Sequence, residues 1–187
     1  MRRRTLFRSL TLLGVLALGA CADTPTAPLA QAPAAEGLLD GLLGGGTATV
    51  LKRSVPLAAD EVVTETIGTG GGTIYLPAAG LTLTFPSGAV ASATSITVTA
   101  PKGDLMGYYM APHGLVFNKA VKAKQDLTKS ELGLIGRLLK KPSAVYYEGP
   151  LQPIVHILEL LPLNLEGLLG YATFDIKHFS GYVIATD

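Results

Sequence analysis

Leu81-Thr82-Leu83-Thr84-Phe85-Pro86-Ser87-Gly88-Ala89-Val90 opens as a short alternating run and then meets a breaker. Leu81, Leu83 and Phe85 fall on one face of an extended chain, with Thr82 and Thr84 on the other. The alternation returns beyond the breaker, where Ile96, Val98 and Ala100 face one way and Thr97 and Thr99 the other. Upstream, Gly70-Gly71-Gly72 leads into Thr73-Ile74-Tyr75-Leu76, closed by Pro77 and Gly80; downstream, Pro112-His113-Gly114 turns the chain into Leu115-Val116-Phe117. A two-residue period rich in β-branched side chains, punctuated by glycine and proline, marks half-buried antiparallel strands. The reading predicts an all-β protein, an antiparallel β-sandwich whose core includes Leu83, Phe85, Ile96 and Val98, with Thr97 facing out.

These residues also carry a resemblance. Gly71-Gly72, the run Leu81 to Val90, Ile96-Thr97-Val98 and Gly114-Leu115-Val116-Phe117 resemble the ZU domain, the β-sandwich module of zonula occludens proteins and netrin receptors. Phe174-Asp175-Ile176-Lys177-His178-Phe179-Ser180-Gly181-Tyr182 resembles the end of the same domain. The similarity covers Gly70–Val121 and Ala172–Ala185 and leaves the chain between them unmatched. It implies a sandwich used as a scaffold with many functions, so it speaks to architecture more than to activity.

The N-terminus reads as an export signal. Arg2, Arg3, Arg4 and Arg8 form a cationic start, and Leu10 to Ala20 is an apolar run shorter than the ~20 residues a spanning helix needs. Leu18-Gly19-Ala20-Cys21 resembles a lipobox, which implies diacylation of Cys21 and cleavage that makes it the new N-terminus; an ordinary signal peptide with a chance cysteine is the alternative. Residues 1–20 are then a signal peptide, residues 21–46 a lipidated N-terminus and linker, and residues 47–187 the globular domain. Loss of the signal removes four of 15 basic residues and no acid, leaving 11 against 14, a net charge of −3. That balance removes the electrostatic footprint of nucleic-acid binding. Cys21 is the sole cysteine, so lipidation leaves no thiol and no disulfide. The expected partners are a membrane, reached through lipid on Cys21, and other proteins of a bacterial cell envelope. Ala22 rather than an aspartate after Cys21 favours the outer membrane over the inner.

Ala22 to Ala35 is an alanine-, proline- and threonine-rich tether, followed by a leucine- and glycine-rich linker, Glu36 to Gly46, that could dock on the domain or the membrane. Thr47–Lys52 and Glu61–Ile67 are β-prone. Gly68-Thr69-Gly70-Gly71-Gly72 lacks the following helix and lysine of a phosphate loop and reads as a turn. One helix is expected over Lys129–Lys140, with a capping box at Thr128-Lys129-Ser130-Glu131 and an apolar stripe of Leu132, Ile135, Leu138 and Leu139 leaning on the sandwich. Ala144–Glu148 reads as a strand with Tyr146 and Tyr147 on opposite faces. Leu151–Leu169, interrupted by Pro153 and Pro162, reads as a strand over Ile154–Leu158 and then a loop or helical turn covering the open end of the core; an apolar ligand or membrane-contact patch is its sharper alternative.

Of the three histidines, His113, His156 and His178, no two share a metal-binding spacing, and no cofactor motif is present. The one tripeptide with a chemical reading is His178-Phe179-Ser180. Some members of the resembled family cut themselves between such a Phe and Ser. In an extended chain His178 and Ser180 share a face, so His178 could take the Ser180 proton for attack on the Phe179 carbonyl. A structural role for His178 is the expected reading, and the protein is expected not to be an enzyme. Three functions follow: an envelope lipoprotein presenting a binding or scaffolding sandwich, a self-processing lipoprotein, or a carrier of an apolar ligand.

Overall fold

The computed structural model describes residues 46–168 and 170–186. Cys21, the tether and residues 36–45 of the linker lie outside them. Among the described residues the fold is an all-β sandwich of antiparallel sheets with a single α-helix. Its strands are β1 (Thr47–Val50), β2 (Lys52–Leu57), β3 (Glu61–Ile67), β4 (Gly72–Leu76), β5 (Leu81–Phe85), β6 (Thr94–Ala100), β7 (Gly103–Leu105) and β8 (Gly107–Ala111). They continue with β9 (Val116–Asp126), β10 (Ser143–Tyr147), β11 (Ile154–His156), β12 (Glu159–Leu161), β13 (Asn164–Glu166), β14 (Tyr171–His178) and β15 (Gly181–Thr186).

One sheet runs β11-β1-β15-β8-β6-β3, with β10 on the other edge of β15 and β12 beyond it. The facing sheet runs β13-β14-β9-β5-β4, and β2 and β7 form a separate pair. The expected alternation holds. Leu81, Leu83 and Phe85 are buried beneath β5, and Ile96, Val98 and Ala100 beneath β6, in one cluster between the two sheets. Thr97 lies on the other face and hydrogen-bonds Thr64 across the strands at 2.8 Å. The β4–β5 turn is pinned to β3 by Glu61, whose carboxylate accepts from the Ala78 and Ala79 amides at 3.0 and 2.7 Å. Gly71 has a φ of +86°, and a β-carbon there would lie 2.2 Å from the Phe85 carbonyl oxygen, so the glycine run serves as a turn packed on β5.

Inside the main core sits one polar cluster. Gln125 is fully buried; its Nε2 donates to the Ala79 and Asp126 carbonyls at 3.0 and 3.1 Å, and its Oε1 accepts from the Tyr108 hydroxyl. Burial pushes the Tyr108 phenol up to about 12.

A second apolar cluster covers the far face of the β10–β15 layer, joining Val145, Tyr147, Val183 and Ala185 to Ala48, Val50, Val155 and Ile157. Every residue of β15 is therefore buried. Tyr146 packs toward the main core and Tyr147 toward this second cluster, so they do lie on opposite faces. The leucine-rich segment forms three short strands, β11, β12 and β13, rather than one. Leu151, Val155 and Ile157 serve the second cluster, and Leu161, Leu163 and Leu165 the first.

The expected helix is corrected. A 3₁₀ turn spans Leu127–Lys129, capped by Asp126, whose Oδ1 accepts from the Thr128 amide at 2.9 Å and its hydroxyl at 2.6 Å. Thr128 is thus engaged upstream and the capping box does not form. The helix, α1, begins only at Leu134 and ends at Lys140, after Gly133, whose missing side chain provides no cap. Its apolar stripe does not lean on the sandwich: Ile135, Leu138 and Leu139 are exposed, and only Leu132, ahead of the helix, packs on the main core.

Candidate functional site

Strand β14 ends at His178, the chain bends through Phe179 and Ser180, and β15 begins at Gly181. A register shift between Ile176 and His178 marks a bulge where β14 leaves β9. The bend is held on both sides. The Phe179 amide donates to the Leu115 carbonyl at 2.8 Å, the Gly114 amide donates to the Phe179 carbonyl at 2.9 Å, and the Met110 amide donates to the Ser180 carbonyl at 3.1 Å. The Phe179 ring is fully buried, edge-on to Phe117 and Phe85 at centroid distances of 4.7 and 6.2 Å. Aromatic burial of this kind fixes the backbone on either side of the ring.

Ser180 and His178 do not meet as the alternation predicts, because β14 ends at His178 and the chain bends through Phe179 and Ser180 before β15 begins. Ser180 Oγ instead shares a hydrogen bond with His113 Nε2 at 3.0 Å. His178 turns to Glu159, with Nε2 to Oε2 at 3.1 Å, and its carbonyl accepts from the Tyr182 hydroxyl at 2.6 Å. Tyr146 stacks edge-on to the His178 ring at 4.9 Å and donates to Glu148 at 2.6 Å. That bond to Glu148 raises the Tyr146 phenol, and burial, reinforced by the Glu159 charge, raises Tyr182. His178 is therefore packed between two tyrosines and paired with a carboxylate on β12.

Nothing in the sequence marks His113, Gly114, Glu159 or Tyr182 as site residues. The turn Pro112-His113-Gly114 is visible there, but only the pairing of β8 with β15 brings it against Ser180.

The arrangement at Phe179-Ser180 has two of the elements of an N-to-O acyl shift: a base on the hydroxyl and an amide donor on the carbonyl to be attacked. It lacks visible strain, since neither Phe179 nor Ser180 has a positive φ. Ser180 is also only 4 % exposed, which restricts the water that would hydrolyse an ester.

Two of the grooves among the described residues bear on the site. One, of about 390 Å³, lies beside this bend and is lined by Tyr109, His113, Tyr147, Glu148 and Ser180. The other, of about 500 Å³, crosses the outer face of the β14-β9-β5-β4 layer between Tyr75 and Tyr171, with Thr73, Thr82, Lys124 and Asp126 on its floor and sides. The Lys124 ammonium sits 4.0 Å from the centre of the Tyr171 ring. Among the described residues no cluster of acids, histidines or cysteines could hold a metal ion, and no helix is long and apolar enough to cross a membrane. No model of a known protein family matches the chain, and no curated protein matches it.

Proposed function

We propose that this chain is a lipoprotein of a bacterial cell envelope, tethered through acyl chains on Cys21, that presents a ZU-like sandwich as a binding or scaffolding module. The observation that carries the binding role is the groove between Tyr75 and Tyr171. Tyr75 is 55 % exposed and Tyr171 39 % exposed, on a sheet face that also offers a cation, a carboxylate and two hydroxyls. Half-exposed aromatic rings beside directed polar groups are what a recognition surface requires. A photo-crosslinking residue in place of Thr82 tests it in the native envelope. The module reading expects a discrete adduct that disappears in a Tyr75→Ala, Tyr171→Ala double variant; a profile identical to that of a crosslinker at Val62 on β3 rejects it. The anchor is tested by intact mass: acyl chains on an N-terminal Cys21 are expected, and an unmodified N-terminus beyond Cys21 rejects the lipoprotein.

The second reading, self-processing between Phe179 and Ser180, draws on the 3.0 Å contact of Ser180 with His113 and the Gly114 amide on the Phe179 carbonyl. In that reaction His113 accepts the Ser180 hydroxyl proton, Oγ attacks the Phe179 carbonyl carbon, and the C–N bond breaks as the proton passes to the Ser180 amine. Water then hydrolyses the ester. His113, not His178, is the base in this version.

A further inference from the structure

Helix α1 is turned inside out. Leu134, Ile135, Leu138 and Leu139 fall on one face at the i, i+1, i+4, i+5 spacing, and they are 54, 71, 60 and 72 % exposed. Gly136 and Arg137, on the opposite face, are the half-buried ones. An amphipathic helix in a soluble protein ordinarily buries its apolar face, so this one presents to the outside what water disfavours.

Charge separates the possible occupants. Lys129, Arg137, Lys140 and Lys141 set four cations against the single acid Glu131 between residues 129 and 141, a formal net charge of +3; Lys140 and Lys141 are the two exposed beside the apolar face, while Arg137 faces the body of the protein. The other described residues carry seven basic and nine acidic side chains, a net −2. Four aliphatic side chains flanked by lysines on an otherwise acidic body complement an anionic, greasy surface, and the lysine stems can reach outward while their leucine neighbours sink. A second copy of the chain fits less well. The helix is only about 10 Å long, so its face offers a small part of the roughly 800 Å² per partner that a stable interface buries, and two such basic segments would repel.

We infer that the exposed Leu134-Ile135-Leu138-Leu139 face of α1 docks on anionic lipid headgroups and inserts shallowly into the bilayer surface, holding the sandwich against the membrane in a fixed orientation. This deepens the envelope reading and rests on it only in placing a bilayer within reach.

The chain contains no tryptophan, so Leu138→Trp supplies a single reporter in the full chain. It is mixed with phosphatidylcholine vesicles with and without phosphatidylglycerol, some carrying brominated acyl chains. The expected result is a blue-shifted emission quenched by brominated lipid, with partitioning on the order of a hundredfold stronger on the anionic vesicles, falling as salt is raised. A Val62→Trp reporter, outside the basic segment, stays unquenched, and adding Ile135→Ser and Leu139→Ser to Leu138→Trp abolishes the shift. Emission unchanged by either vesicle, or quenching equal at both reporter positions, overturns the inference. A blue shift without lipid that grows with protein concentration also overturns it, because a second copy then covers the face. Intact mass of Cys21 is read on the same samples. Quenching in an unacylated chain removes the anchor and keeps the docking helix; an acylated chain with an unquenched reporter does the reverse.

Discussion

Ser180 Oγ is bonded to His113 Nε2 at 3.0 Å across 67 positions of sequence, while His178, two positions away, is paired with Glu159. The two histidines therefore have separable roles. As a structural bend, the wild-type chain treated with hydroxylamine stays whole in denaturing intact mass, as do Ser180→Ala, His113→Ala and His178→Ala. His178→Ala melts several degrees lower, because Glu159 loses its partner and Tyr146 its ring contact. A product ending at Phe179 that vanishes in Ser180→Ala and His113→Ala but persists in His178→Ala would establish the self-processing reading.

Phe85 and Thr97 test the register of the two sheets. Phe85→Ala removes a ring packed against Phe117 and Phe179 and is expected to cost ~3–5 kcal/mol in urea unfolding. Thr97→Ala removes one exposed hydroxyl contact with Thr64 and is expected to cost under about 1 kcal/mol. Equal costs would mean the faces are exchanged.

Tyr108 makes the fold sensitive to alkali. Its phenol, ordinarily near 10.0, is raised to about 12 by burial, so the folded state holds this proton more tightly than the unfolded chain. The corresponding stability is fully present below pH 10 and is lost as pH rises toward 12, on the order of 3 kcal/mol. Tyr108→Phe should remove Tyr108's share of that slope, leaving the share of Tyr147 and Tyr182, whose phenols burial also raises, while costing ~1–3 kcal/mol at neutral pH because Gln125 loses its donor. A variant as alkali-sensitive as wild type contradicts the assignment.

Gly71 and Gly70 sit side by side in the glycine run and should respond differently to alanine. At Gly71 the new β-carbon meets the Phe85 carbonyl at 2.2 Å with φ at +86°, whereas at Gly70 nothing lies within 4 Å. Gly71→Ala is expected to lower stability by about 3 kcal/mol or more, and Gly70→Ala by less than about 1. Thermal melts of the two variants decide it.

The alternation at Leu81–Phe85 and Ile96–Ala100 was legible because large apolar groups repeat every second residue there. Strand β9 was only half legible. Its inward residues after Phe117 include Val121, Ala123 and Gln125, and a small side chain and a buried amide do not register as an apolar face. The helix is misplaced because Asp126, two residues earlier, engages Thr128 as the cap of a 3₁₀ turn, and Gly133 delays the first helical turn. Of the site, the tripeptide His178-Phe179-Ser180 was visible in the sequence, but the bend that separates His178 from Ser180 was not. His113 as the partner of Ser180 was not, because that contact exists only once β8 lies along β15. The burial of β15 on both faces is foreshadowed by Val183-Ile184-Ala185, a continuous apolar run rather than an alternating one.

Strand β15 also sets the order in which this protein can assemble. It pairs with β1 at Thr49–Thr186, 137 residues apart, with β8 over Gly181–Val183 and with β10 over Gly181–Ala185. A chain delivered residue by residue from its N-terminus therefore lacks the centre of its larger sheet until Thr186 emerges. Such high contact order makes folding slow and all-or-none relative to synthesis. On the proposed route to the envelope that delay is useful: the chain remains open enough to be threaded through a translocation channel, and it closes around its central strand only on the far side.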